Sequence, residues 1–172
     1  MHIEKNICDN ILWTLLGDTK ESKDNLKARH DLEEMNIQKP LHPKLEDRNK
    51  LTLPLACFSM SNEKKDVFFK VLKEVKVLNG YALNISRWIH TKERSVWGLK
   101  SHDSHILLQQ LLHIIARRAL PKKVVEVIIE LNNLFKQLCS KVNKPNDLLI
   151  YQKEPQLHFA ILRRYFLCHF LI

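Results

Sequence analysis

Glycine is scarce, with 3 in 172 residues, and proline numbers 6, which excludes collagenous, low-complexity and glycine-linker architectures. The four cysteines, Cys8, Cys57, Cys139 and Cys168, lie far apart with no C-x-x-C pair. They read as reduced intracellular thiols, mostly in the core. The N-terminus lacks a basic start followed by an apolar run, so no secretory signal is expected. The most apolar stretch, Phe159 to Ile172, is interrupted by Arg163 and Arg164. It is also shorter than the ~18 residues of a membrane-spanning helix. There is no G-x-S-x-G, no glycine-rich phosphate loop and no H-E-x-x-H. Glu33-Glu34 and Glu46-Asp47 are sequence neighbours and do not by themselves bracket a substrate. These absences lead us to expect a soluble, non-enzymatic chain with no cofactor, no membrane partner and no small-molecule ligand.

What is present is an ordinary globular composition with a cationic surplus. The hydrophobic fraction is 45% and the mean hydropathy −0.27; a chain this long forms one domain and buries about 68–70% of its unfolded surface. Lys plus Arg is 28 against 19 Asp plus Glu, a formal charge of +9, which favours polyanionic partners. The surplus is uneven, with a balance of −1 over residues 1–50 and +10 over 51–172. Arg87, Lys92, Arg94, Lys100, Arg117, Arg118, Lys122 and Lys123 face only Glu93 and Asp103 within 87–123. These eight are the candidate phosphate contacts; the plain alternative is a solvated surface.

Periodicity predicts a mainly α fold: a small helical bundle built on an antiparallel helical hairpin. Ile3, Ile7, Ile11, Leu12 and Leu15 keep helical spacing, and Gly17 supplies a C-terminal stop. Ser22–Met35 predicts a polar helix with Leu26, Leu32 and Met35 on one side, resting on something larger. Pro40, Pro43 and Pro54 make Ile37–Phe58 an irregular connector. Ser61 caps a helix over Asn62–Lys76, with Val67, Phe68, Val71, Leu72 and Val75 as its apolar face. Asn79-Gly80 is a turn signal, and Ile85–Ile89 with Ser95–Leu99 suggests a short β-hairpin around Thr91–Arg94.

The hairpin is expected over about 102–120 and 122–142. Ser101 or Ser104 caps its first helix, and Pro121 opens the second. Its apolar residues are Ile106, Leu107, Leu111, Leu112 and Ile115, then Val124, Val125, Ile128, Leu131, Leu134, Phe135 and Leu138. A further helical segment is expected at Asn146–Lys153.

Two motifs invite chemistry. In His102-Asp103-Ser104-His105 a His pair at i, i+3 with Asp103 is the candidate metal set. A structural zinc needs about four ligands, and His113 lies eight residues on with no Cys or carboxylate companion. Capping at a helix start explains the same residues, so no metal is expected there. Arg87-Trp88 and Arg94-Ser95-Val96-Trp97 interleave cations with aromatics that can stack on bases; the plain alternative is that each Trp plugs the core.

The segment MHIEKNICDNILWTLLGDTKESKDNLKAR, Met1–Arg29, resembles the closing motif of transposases of plant CACTA (En/Spm-like) DNA transposons. The stretch from Asn79 to Val142, with GLKSHDSHILLQQLL at Gly98–Leu112 as its most specific string, resembles the domain of unknown function that follows it, as does PLACFSMSNEKKDVFFKVLKEVK at Pro54–Lys76. The resemblance runs from Met1 to about Glu154 and divides the chain into a helical remnant of the transposase core end (1–35), a connector (36–56), the associated domain (57–154) and an aberrant tail (155–172). It implies a nuclear protein whose ancestral partners are DNA or proteins of a transposition complex. In that family, cleavage is attributed to an RNase H-like core that lies mostly upstream of the matching segment. His2 and Glu4 cannot form a two-metal site, which needs several carboxylates around ions about 3.5–4 Å apart. No transposase activity is therefore expected, and residues 1–35 are expected to lack a surface to pack on. The alternatives are a host-adopted protein-interaction module using the hairpin 102–142 and, less favoured, a metal-dependent hydrolase on His102, Asp103 and His105.

The sequence departs from the family pattern at Leu78 and His113, where Pro is usual, at Leu83 for Ser, and at Trp88 for Cys. An unsatisfied His113 nitrogen would cost about 1–3 kcal/mol. From Gln156 the chain reads QLHFAILRRYFLCHFLI, whereas synonymous codons read one frame over give a family-like Thr-Leu-Cys-Asn-Leu-Glu-Lys-Ile-Phe-Pro. A frameshift near Pro155 accounts for this and would leave exposed apolar residues prone to aggregation. Nucleotide sequence across the Pro155 codon is expected to show the shifted frame; an intact frame there ends the idea.

Overall fold

A computed structural model of the chain describes residues 2–18, 20–46, 50–74 and 85–139. The expected Asn79-Gly80 turn, the helix at Asn146–Lys153 and the tail 155–172 lie outside them. The architecture is mainly α, with two small two-stranded sheets. The helices are α1 (His2–Leu16), α2 (Leu26–Glu34), α3 (Asn62–Glu74), α4 (Ser101–Ile106), α5 (Leu112–Ala119) and α6 (Lys122–Leu138). The strands are β1 (Lys44–Glu46), β2 (Lys50–Thr52), β3 (Ile89–His90) and β4 (Ser95–Val96).

The core rests on the expected hairpin. α4 runs into α5 through a π-helical segment, Leu107–Leu111, and the Leu120-Pro121 link turns the chain back into α6. Pro121 occupies the N-cap, one residue earlier than expected, and its carbonyl accepts from the Val124 and Val125 amides. α5 packs on α6 and on α3, and α1 packs on α4. Lys100, rather than Ser101 or Ser104, stands at the start of α4; Ser104 is buried in its first turn.

α1 is an integral part of this core, which corrects the expectation that residues 1–35 lack a packing surface. Cys8, Ile11, Leu12, Leu15 and Leu16 repeat at i, i+3, i+4, i+7 and i+8, all buried in the same cluster as Leu107, Leu112, Ile115 and Val124. The stripe is rotated from the expected one: Ile3 is 72% exposed, and Glu4, one turn before Cys8, is buried in its place. Gly17 ends the helix at φ +62°, with its amide on the Thr14 carbonyl and the Asp18 amide on that of Trp13, the paired bonds of a Schellman cap.

On α3, Ser61 caps as expected, its hydroxyl accepting from the Lys64 amide at 3.4 Å. Phe69 joins Phe68 and Leu72 in the core, edge-to-face with Phe68, whereas Val67 is exposed and Val71 packs at the margin. Val75 falls outside the described residues. The hairpin near 85–99 is shorter than expected: Ile85–Trp88 forms a 3₁₀ turn, and only Ile89↔Val96 and His90↔Ser95 pair as antiparallel strand. Trp88 packs against the core, with its ring over Gly98, where a Cβ would sit 2.7 Å from it. Trp97 is exposed and stacks on the His90 ring at 4.1 Å.

α2 lies outside the main core cluster. It starts at Leu26 after the Asn25 cap, and it buries Ala28, Arg29 and Leu32 while Leu26 and Met35 stand exposed. Six residues of helix turn through 600°, so Leu26 and Leu32 cannot share a face. What holds this region is Arg29, 1% exposed. Its guanidinium binds Asp24 through two nitrogens and donates to the carbonyls of Leu41 (2.8 Å) and Pro54 (3.3 Å). The connector expected to be irregular thereby carries structure: a 3₁₀ turn at Lys39–Leu41 and the antiparallel β1–β2 pair, Lys44↔Thr52 to Glu46↔Lys50.

Breaking this pair from one side takes the guanidinium away from Asp24 and from the carbonyls of Leu41 and Pro54 in a buried setting. Arg29→Met is expected to lower unfolding free energy by about 3–5 kcal/mol in urea titrations. A loss under about 1 kcal/mol would mean that Arg29 does not organise the connector.

Candidate metal-ligating cluster and basic corner

The sequence-predicted metal set is taken apart by α4. His102 is exposed, and the Asp103 carboxylate accepts from the Lys100 amide at 3.1 Å, the capping role that competed with metal. His105 points the other way, to a carboxylate 101 residues distant. Its Nδ1 lies 3.0 and 3.1 Å from the two oxygens of Glu4.

Glu4 is 2% exposed, and a buried carboxylate must be compensated by donors. Gln109 donates to Glu4 Oε1 at 2.7 Å, and His105 and Gln109, at i and i+4, both reach the same group. The π segment between α4 and α5 makes this fit: its wide turn, closed by the Leu112 amide on the Leu107 carbonyl, buries Gln109 together with Leu107, Leu108 and Leu111. Cys139, the residue that closes α6, brings its sulfur beside the same carboxylate. Burial, the negative charge of Glu4 and the thiol's hydrogen bond to that carboxylate push its pKa up, while Gln109 opposes them. One oxygen of Glu4, one nitrogen of His105 and the sulfur of Cys139 lie within 4.8 Å of one another.

Sequence reasoning missed Glu4, Gln109 and Cys139. The only signals were an acid on the apolar face of α1 and the i, i+4 spacing of His105 and Gln109. The thiols also depart from expectation: among the described residues Cys8 is buried, with its pKa pushed well up by burial, but Cys57 and Cys139 are exposed.

Seven of the eight phosphate-contact candidates, Arg87, Lys92, Lys100, Arg117, Arg118, Lys122 and Lys123, are exposed. Arg94 is engaged elsewhere: at φ +49° it forms a two-pronged pair with Asp66 at 2.7 and 3.0 Å, which lowers the Asp66 pKa and raises its own. Arg117 and Arg118 occupy the last turn of α5, and Lys122 and Lys123 the first turn of α6. These four therefore meet at one corner of the hairpin, where Lys122 lies 3.8 Å from Glu126. A pocket of about 290 Å³ opens between α1, α3 and the β3–β4 turn. Of its charged groups, Arg94 is partnered by Asp66 and Asp18 by the amides of Lys20 and Glu21. No helix among the described residues is long and apolar enough to cross a membrane.

His113, the polar residue within an apolar stretch, has found a partner. The Asn132 amide donates to its Nδ1 at 2.7 Å, which requires that nitrogen to be unprotonated. Burial, followed by the charges of Lys136 and Arg117, lowers the His113 pKa below the ordinary 6.5. The unfolded chain therefore binds the proton more readily, and the contribution to stability is full above about pH 6.5 and lost as pH falls below it. His113→Gln keeps an acceptor for Asn132 but does not titrate. Denaturation midpoints measured from pH 7.5 downward are expected to fall less steeply below pH 6.5 in this variant than in the parent; equal slopes would refute the assignment.

Compared with known protein families, characterised proteins and solved structures, the chain matches none.

Proposed function

We propose that this chain is a non-catalytic, transposon-derived helical module whose task is contact with the DNA backbone in a nuclear transposition complex. The observation that carries this reading is the cationic corner of Arg117, Arg118, Lys122 and Lys123, all exposed around the Leu120-Pro121 link. The two arginines suit the negative end of α5. The two lysines do not suit the positive end of α6, whose first turn holds no acid. Folding alone favours Asp or Glu there, so the lysines work against stability at a place where amides and cations converge on any approaching anion. Phosphate is an anion this arrangement accommodates, and the +9 formal charge favours it at long range.

The alternative, a host-adopted protein-interaction module, draws on Trp97, Ile114 and Leu138, which stand 54%, 51% and 56% exposed. Salt separates the two. Counterion release makes DNA affinity fall steeply with salt, by about 0.9 in the log–log slope per phosphate contact. Fluorescence anisotropy with a duplex is expected to show such a slope. Replacing Arg117, Arg118, Lys122 and Lys123 together by alanine is expected to reduce it by about 2–4, with the two lysine changes relieving rather than harming α6. Salt-insensitive binding, or a slope that the fourfold variant leaves unchanged, would remove the proposal; a complex with a protein that survives moderate salt would favour the alternative.

A further inference from the structure

We infer that Glu4, His105 and Cys139 form a binding site for a single zinc-class divalent ion. The inference is independent of the DNA reading, since it involves none of the residues at the basic corner. Three donors of different chemistry, a carboxylate oxygen from α1, an imidazole nitrogen from α4 and a thiol sulfur at the end of α6, lie within 4.8 Å of one another. In tetrahedral coordination, with bonds of about 2.0–2.3 Å, ligand atoms stand about 3.3–3.8 Å apart. Closing on an ion thus needs movements of about an ångström. A mixed sulfur, nitrogen and oxygen set selects zinc and its neighbours over magnesium or calcium, which prefer oxygen alone.

The arrangement already holds the ion's place with hydrogens. His105 Nδ1 faces both oxygens of Glu4, Gln109 donates to Oε1, and the Cys139 sulfur lies beside the same carboxylate. Coordination replaces these hydrogens. The thiol proton leaves to solvent, and Nδ1 becomes free to bind when its proton leaves or when the ring takes the other tautomer. The ion's two positive charges are then balanced by one carboxylate and one thiolate, which suits a site where Glu4 is 2% exposed. The fourth position is filled by water or by the Gln109 side-chain carbonyl. A π-helical turn lies directly beside the cluster and orients Gln109 into it; such turns are frequent at functional sites.

The test uses the full chain, stripped with chelator and titrated with cobalt(II) as a spectroscopic stand-in for zinc. One equivalent is expected to bind with a thiolate-to-cobalt charge-transfer band and tetrahedral visible bands, and zinc is expected to displace it. Cys139→Ser is expected to abolish the charge-transfer band and weaken binding at least about tenfold, while Cys57→Ser, at the other exposed thiol among the described residues, keeps both. Zinc is also expected to raise the melting midpoint of the parent and not of Cys139→Ser. Absence of the band, an undiminished band in Cys139→Ser, or its loss in Cys57→Ser would overturn the inference, leaving a hydrogen-bonded buried carboxylate.

Discussion

One buried carboxylate ties together the ends of three helices. Glu4 sits in the first turn of α1, one turn before the apolar stripe that begins at Cys8, and the stripe cannot enter the core without drawing the acid in with it. A carboxylate removed from water must find donors, or its desolvation opposes the packing. The donors come from His105 and Gln109 across the π segment, with the Cys139 sulfur beside them at the end of α6. The angle of α1, the widened turn at Leu107–Leu111 and the position of the α6 terminus are thus linked by the same group. A site for an ion at this point would add cohesion where three elements that are distant in the chain converge.

A second buried charge does for the periphery what Glu4 does for the core. Arg29 satisfies Asp24 and two backbone carbonyls from separate parts of the connector, so α2, the 3₁₀ turn and the segment around Pro54 are held together with little apolar area. The cations of the α5–α6 corner behave in the opposite way. They stay in solvent, and two of them stand at a helix end where the backbone dipole disfavours them. Charges buried with partners are explained by folding; the two lysines exposed against the local field are not.

Local signals were legible wherever the physics is local. The Gly17 stop, the Ser61 cap, the break at Leu120-Pro121 and the amphipathic stripes of the hairpin all follow from residues within one or two turns of each other. Even here, small errors follow from treating every apolar residue as inward-facing: Ile3, Leu26, Met35 and Val67 are exposed because the helix phase is set by the larger buried set on each face. The β1–β2 pair was illegible, since a polar–apolar–polar alternation over three residues a side is too short to mark a strand, and its apolar residues, Leu45 and Leu51, stay exposed.

By itself the sequence determined that this chain is helical, cationic and built around a hairpin near residues 101–138, because periodicity, caps and net charge are properties of short windows. Only the tertiary structure decided that α1 belongs to the core, that His105 turns away from His102 toward Glu4, that Cys139 joins them, and that Arg94 is engaged by Asp66. Those outcomes join residues separated by between 28 and 135 positions, and no local rule reaches that far. They are settled by which apolar faces bury one another, after which polar groups pair with whatever the packing has brought within reach.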